Sequence, residues 1–255
     1  MIFKKFFIGI KIRFLKTLKK NKGYFYISGI KMFLDYLEPI DRELIITQKY
    51  EEKEINFLKK LYNSDAFEFF LDVGANCGYY SVNLANEFNN LKVVAFEPNK
   101  DAFTKFSNTL KVNPKLKKRI KINNFGLSNS SGQLEMTSLE KFGHLQSGGS
   151  TIVNESEKKF INTKIFKCNF KIGKEVIRLK NKKLCIKIDV EGHEYNVIEG
   201  LKELLEKNKV ILQIEITKKS FKKTDNFLAN IGYKSFNKFF GRGQWISNFY
   251  YKNFQ

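Results

Sequence analysis

One stretch constrains the fold more than any other: Phe69-Phe70-Leu71-Asp72-Val73-Gly74-Ala75-Asn76-Cys77-Gly78-Tyr79-Tyr80. An apolar run reaches an acid, then a glycine, then a second glycine four residues on. The segment that follows, Ser81 to Phe88, has helical character. The pattern predicts a buried strand, a tight turn and a helix N-terminus, the place where α/β folds hold a nucleotide. Glycines let the backbone approach a ligand, and a helix start offers unpaired N–H groups. A Gly-x-x-x-Gly spacing alone is a weak signal, so its meaning depends on the rest of the chain.

The rest of the chain alternates strands with helices. Core strands are expected at Leu91 to Phe96, Ile120 to Phe125, Leu184 to Ile188 and Val210 to Ile216. Helices are expected at Glu51 to Tyr62, Lys100 to Val112, Tyr195 to Glu206 and Phe221 to Asn230. Two last strands are read at Tyr233 to Asn237 and Trp245 to Tyr251, and a short one at Glu43 to Thr47. Such alternation argues an α/β fold with a mostly parallel sheet of βαβ units. Residues 128–182 break the rhythm with turns, strand-like pieces at Gln133 to Thr137 and Lys164 to Phe170, a loop at Gly143 to Ser150 and a short helix near Lys174 to Leu179. They read as an embellishment beside the site. The main domain is expected over 41–255, after a basic N-terminal segment over 1–40.

That segment holds nine Lys or Arg and no Asp or Glu within residues 1–31. Phe3, Phe6, Phe7, Ile10, Phe14, Leu15 and Leu18 recur at helical spacing, so a basic amphipathic helix is expected. It would either lie in a membrane interface beside anionic lipids or pack on the domain with a solvated basic face. Lys22 to Tyr36 reads as a connector with helical character. The net charge of +20 suits an anionic partner. Abundant Lys, Asn, Phe and Ile with three prolines also fit a coding bias toward A and T. No apolar run approaches a membrane span, and Lys11, Arg13 and Lys16 interrupt any signal peptide. Cys77, Cys168 and Cys185 form no CxxC pair, which argues against a zinc site or a disulfide framework. A cytoplasmic protein is expected, peripheral at the inner membrane face if the first helix binds lipid.

Acids stand at the ends of four strands: Asp72, Glu97, Asp189 and Glu215. In open α/β sheets that edge binds ligands. Dinucleotides put a pyrophosphate on the glycine turn; S-adenosylmethionine puts its methionine part there, with an ammonium and a sulfonium. Asp72 would repel a pyrophosphate and complement an ammonium. Asn76 also stands where a dinucleotide fingerprint needs its second glycine. The turn therefore favours S-adenosylmethionine, held by Asp72, Gly74, Ala75, Asn76 and Gly78. Glu97, 23 residues after Gly74, would accept the ribose hydroxyls, with Pro98 keeping it extended. Asn124 and Gly126 would border the adenine, and Asp189 would lie beside the cofactor.

The stretch Ile186-Lys187-Ile188-Asp189-Val190-Glu191-Gly192-His193-Glu194 makes the pattern specific. Together with Phe70 to Tyr80, Phe96-Glu97-Pro98, Gly126-Leu127-Ser128 and the segment from Asp41-Arg42 to Tyr50-Glu51, it resembles the FkbM family of S-adenosylmethionine-dependent methyltransferases. The resemblance covers roughly residues 41–236. It implies a Rossmann-like class I methyltransferase fold, a seven-stranded sheet whose last strand runs antiparallel, helices on both faces, and O-methylation of sugar or natural-product hydroxyls.

Methyl transfer needs acceptor oxygen, methyl and sulfur in line, and a base helps a weakly nucleophilic hydroxyl. Asp189, Glu191 and His193 are the catalytic candidates, with no division of labour between them. Asp189, Glu215 and His193 could converge on a divalent ion, but acids at strand ends are common without metal, and no metal is expected. His144, in the glycine-rich loop, reads as a surface residue. The expected acceptor is a hydroxyl of a glycan, glycolipid or related small molecule. The alternatives are a nucleic-acid (RNA) methyltransferase, invited by the charge, and a non-catalytic membrane-surface binding protein. The strand before Asp189 leads into neither a Pro-Pro loop nor a Pro-Cys nucleophile, which disfavours nucleic-acid bases, and intact Asp72, Gly74, Gly78 and Glu97 argue against a dead cofactor site. Acceptor identity and oligomeric state stay open.

Overall fold

A computed structural model describes residues 2–18, 20–141, 144–146, 148–153, 163–240 and 246–255. The chain begins with α1 (Ile2–Thr17), then a hairpin of β1 (Lys22–Ile27) and β2 (Ile30–Asp35). Next come α2 (Pro39–Thr47), α3 (Glu52–Asp65), β3 (Phe69–Val73), α4 (Tyr79–Glu87), β4 (Lys92–Phe96), α5 (Lys100–Lys111), α6 (Pro114–Lys117) and β5 (Ile120–Asn123). A group of short and long strands follows: β6 (Gly126–Ser128), β7 (Gly132–Lys141), β8 (His144–Leu145), β9 (Thr151–Ile152) and β10 (Thr163–Ile172). After α7 (Gly173–Val176) the chain returns to the main sheet with β11 (Lys183–Ile188), α8 (Glu194–Gly200), α9 (Lys202–Glu206), β12 (Lys209–Thr217), α10 (Lys218–Asn230), β13 (Lys234–Phe240) and β14 (Ile246–Lys252).

Seven strands form the main sheet in the order β13-β14-β12-β11-β3-β4-β5. The pairs from β12 to β5 are parallel, and β14 runs antiparallel to both its neighbours. This is the expected α/β architecture with its antiparallel last strand. Side chains alternate across the strands, so each face builds its own core. Phe70, Cys185, Ile211 and Tyr250 pack with α3, α4 and α5 on one face. Leu71, Ile186, Ile188 and Leu212 pack with α8, α9 and α10 on the other. On the first face the apolar rows end in polar groups: Asp72 lies beside Lys187 in the β3–β11 register, and Lys187 beside Gln213 in the β11–β12 register.

Three local expectations are corrected. Residues 22–36 form a β-hairpin, not a helical connector. Phe25 and Ile27, then Ile30, Met32 and Leu34, alternate inward, and Ser28 and Gly29 both take positive φ (47° and 87°), as a tight hairpin turn requires. Residues 43–47 are helical, not a strand: Pro39 starts α2, which buries Leu44 and Ile45. The stretch from Tyr195 to Glu206 splits into α8 and α9 at Leu201. Trp245 lies outside the described residues, as do Gly143 and Ser147 of the 143–150 loop.

The hairpin, α2 and α5 are tied by one buried ion pair. Lys105 Nζ lies 2.7 Å from Asp41 Oδ2, and both side chains are almost fully buried. Asp41 Oδ2 also accepts the backbone N–H of Asp35 at 2.9 Å. Removing either charge would leave the other buried and unpaired, at a cost of about 3–5 kcal/mol. The described residues of the 128–182 region, with the start of β6, build a second sheet, β6-β10-β7-β8 with β9 on β7, and Gly126, Met136, Ile152 and Phe170 of that sheet line the cavity at the strand-end edge of the main sheet. No described helix is long and apolar enough to cross a membrane.

Candidate active site

A cavity of about 700 Å³ opens at the carboxyl ends of β3, β4, β11 and β12. Its size suits a cofactor plus part of a second molecule. Asp72, Gly74, Ala75, Asn76, Glu97, Pro98, Gly126, Asp189, Glu191 and His193 all line it, so ten predicted site residues meet in one space. Gly78 and Asn124 do not line it. Gly78 lies behind the turn, where a Cβ would sit 2.4 Å from the Phe106 ring. Asn124 turns its amide to the backbone, donating to the carbonyls of Glu97 at 2.9 Å and Pro98 at 3.2 Å. It therefore braces the exit of β4. Over Gly126, the room left by the missing side chain is filled by the Phe170 ring, 2.3 Å from where a Cβ would be.

The turn after β3 is built by close approach. Gly74 has φ +83°, and a Cβ there would lie 1.8 Å from the carbonyl oxygen of Asp189. Two strand exits are thus pressed together, and only glycine fits between them. Asn76 also takes positive φ (49°), which aims its N–H at Glu97. Glu97 Oε2 accepts that N–H at 2.8 Å and Oε1 accepts the N–H of Asn99 at 2.8 Å. Both oxygens keep a lone pair for a hydroxyl. Burial pushes the Glu97 carboxyl up to about 7, against the pull of those two N–H groups. Asp72 is buried, and its Oδ2 accepts the Ser81 hydroxyl at 2.6 Å. Its Oδ1 is buried with no hydrogen-bond partner among the described residues. An orphaned carboxylate oxygen on the wall of a cavity fits a cationic ligand group.

Lys187 and Glu51 also line the cavity, and the sequence reading assigns neither to the site. Lys187 is buried and donates to Asp189 Oδ2 at 2.8 Å, with its ammonium 4.7 Å from the centre of the Tyr80 ring. Burial would lower this lysine, but Asp189, Asp72 and Glu51 outweigh burial and raise it. Burial alone would raise Asp189, yet Lys187 and a hydrogen bond shared with Glu215 hold it below the ordinary range. Burial and the Asp189 charge push Glu215 well up, so that pair holds its proton on Glu215. Glu51 accepts the Tyr80 hydroxyl at 2.6 Å and is raised by burial. The signal for Lys187 was present: a lysine inside an otherwise apolar strand must find carboxylates. Glu51 gave no such signal, because it reaches the cavity from the segment before β3.

Glu191 follows in a left-handed conformation, φ +50°, with its carbonyl accepting the Thr151 hydroxyl at 2.7 Å. It is open to the cavity's solvent, yet the surrounding walls, then Asp189 and Glu194, push its carboxyl up to about 7. His193 sits at the start of α8 with Nε2 2.9 Å from the Ser128 hydroxyl and its ring edge-on to Phe170. Burial holds it down at about 4. Among the described residues, no group of three His, Cys, Asp or Glu is placed to hold a metal.

The comparisons agree with this geometry. Residues 72–235, more than half of the chain, match the Methyltransferase FkbM domain. Methyltransferase sdnD of Sordaria araneosa is 27% identical over 181 residues, which is 60% of this chain and 68% of that protein. The crystal structure of methyltransferase FkbM from Methylobacillus flagellatus KT superposes with a TM-score of 0.51 at 15% identity, covering 72% of this chain. This chain spans 43% of that protein's length. M. jannaschii TYW2 in complex with AdoMet gives a TM-score of 0.51 at 13% identity, over 91% of this chain and 85% of that one. At such identities the two structures speak for the fold alone, and the family match carries the assignment. A glycine turn pressed on Asp189, an acid at the end of β4 and the Asp189–His193 turn are set in a class I methyltransferase fold, and the chain belongs to the FkbM family of S-adenosylmethionine-dependent methyltransferases.

Proposed function

We propose that this protein methylates a hydroxyl of a neutral glycan, glycolipid or related small molecule, with Glu191 as the base. The observation that carries this reading is Glu191 itself, a carboxylate on the cavity wall raised to about 7. A base tuned near the working pH is the most effective at taking a proton from a weakly acidic hydroxyl.

Glu97 would take the ribose hydroxyls of the cofactor, Asp72 Oδ1 its ammonium, and the backbone of Gly74 to Asn76 its methionine part. When bound, S-adenosylmethionine supplies an electrophilic methyl group on a sulfonium. The chain's own work is to align the acceptor hydroxyl and to receive its proton on a Glu191 oxygen. His193 is a poorer base: it stays neutral above about pH 4, and its Nε2 is engaged by Ser128.

The cavity charge supports a neutral acceptor. Glu51, Asp189, Glu191 and Glu215 face it, with Lys187 as the buried cation among them. Even with the proton on Glu215 and Lys187 offsetting Asp189, the acids lining the cavity outnumber its lysines, and their ionised fraction repels a phosphate backbone although the chain as a whole carries +20. The test is a transfer assay with labelled S-adenosylmethionine, offering neutral polyhydroxyl glycans and glycosides beside bulk RNA. Label is expected in the neutral acceptors and absent from RNA. Label in RNA alone would overturn the acceptor class, and a folded protein that fails to bind S-adenosylhomocysteine would overturn the site.

A further inference from the structure

Helix α1 carries two apolar faces, and only one of them is used. Ile8, Ile12 and Leu15 pack inward onto the core, with Leu15 seated over Gly23 of the hairpin. On the outer side Ile10, Phe14 and Leu18 are 46%, 62% and 48% exposed. Their spacing of four residues places them in one stripe along the helix. Exposed Arg13, Lys16 and Lys20 flank it. Residues 1–31 supply no acid that could neutralise them.

A helix already anchored by its inner face gains no folding stability from a second apolar stripe, so the stripe calls for an occupant. We propose that it seats α1 in the plane of an anionic lipid surface, with Ile10, Phe14 and Leu18 among the acyl chains and the cations at the headgroups. The charge pattern selects lipid over the other occupants. A second copy of the chain would bring the same cations face to face. A nucleic acid would satisfy the cations and leave the apolar stripe in water. The helix is too short and too charged to span a bilayer, so it would lie on the surface. It packs against α2, which contributes Ile40, Glu43 and Thr47 to the cavity wall. A lipid-seated α1 would therefore stand one helix away from the cavity.

The experiment is sedimentation of the full chain with vesicles of phosphatidylglycerol and phosphatidylcholine, and with phosphatidylcholine alone, at low and high salt. Binding is expected to the anionic vesicles, and to weaken with salt. Phe14→Asp should lower the affinity for the vesicles about tenfold or more, because it removes the aromatic that would enter the acyl layer and adds a repelled charge. Arg13→Glu combined with Lys16→Glu should weaken binding as well, with the apolar stripe intact. Phe14 is exposed, so its variant is expected to fold, which circular dichroism checks. No sedimentation of the parent chain, or equal sedimentation of Phe14→Asp, would overturn the proposal. So would a dimer in the absence of vesicles that Phe14→Asp dissolves, since the stripe would then be a subunit contact.

Discussion

The turns after β3 and β11 look alike on paper and do opposite things. Each leaves a parallel strand, passes an acid and a glycine, and enters a helix. Each needs left-handed backbone: Gly74, Asn76 and Gly78 in the first, Glu191 and Gly192 in the second. The first turn is buried, and its glycines are required by what lies against them. Asp189 carbonyl oxygen occupies the place of a Gly74 side chain, and Phe106 that of Gly78. The second turn is open: among the described residues nothing lies within 4 Å of a Cβ on Gly192. In the first turn the N–H groups of Gly74 and Ala75 go to the Phe96 carbonyl and that of Asn76 to Glu97, which braces it to the neighbouring strand, whereas the second turn presents carboxyl groups. On the proposed function, holding the cofactor falls to the first turn and moving a proton to the second, two versions of one local design.

The same substitution in both turns should break the likeness most sharply. Gly74→Ala drives a Cβ into the Asp189 carbonyl at a positive φ, so backbone must move. Loss of S-adenosylhomocysteine binding in calorimetry is expected, with about 1–3 kcal/mol lost from the melt. Gly192→Ala meets only the conformational strain, about 1 kcal/mol, and should bind the cofactor within a few fold. Equal damage from the two would mean that both turns are packed scaffolds. The next largest effect belongs to Glu191→Gln, which should slow turnover about 10²–10⁴-fold. Because the charged form is the base, the parent rate should rise with pH through about 7 and then level off. The variant should lose that limb. A retained limb would place the proton elsewhere.

How much of this was legible follows from what each segment tells locally. The β3 turn was readable because an apolar run, an acid and two glycines all point the same way. The β11 turn was readable through its unusual Asp189 to Gly192 run. The hairpin was misread although Phe25, Ile27, Ile30, Met32 and Leu34 alternate at period two around Ser28-Gly29. Its lysines and aromatics continued the look of the preceding helix. Residues 44–47, Leu-Ile-Ile-Thr, favour a strand by composition, yet Pro39 and burial of one face make them helical. Asn124 and Gly126 were placed beside the adenine by their position after β5. Which way an asparagine amide turns, or that Phe170 arrives from 44 residues downstream to fill a gap, is set by tertiary packing and leaves no local trace.

On the proposed function, Glu97 joins the first turn to the cofactor and gives the third effect. Glu97→Ala should weaken S-adenosylhomocysteine by about 1–3 kcal/mol, roughly fivefold to 150-fold, through lost charged hydrogen bonds. The sign of the proton traffic also follows. Burial leaves Glu97 partly protonated near pH 7. Two hydroxyl donors favour the carboxylate, so binding should lower its pKa and release protons. Calorimetric enthalpies should then vary with the ionisation enthalpy of the buffer, and the variation should vanish in the alanine variant.

His193 should give the smallest effect, and it decides how the second turn works. Its ring is neutral across the range in which Glu191 titrates, so it contributes no limb near pH 7. His193→Gln keeps a polar group for the Ser128 hydroxyl and should slow turnover by about tenfold or less, with the pH profile unmoved. Suppose instead that it slows turnover as much as Glu191→Gln does. The two side chains would then act as a pair, with the carboxylate and the imidazole passing one proton between them. The second turn would be a relay rather than a single base, and its difference from the first turn would be greater still.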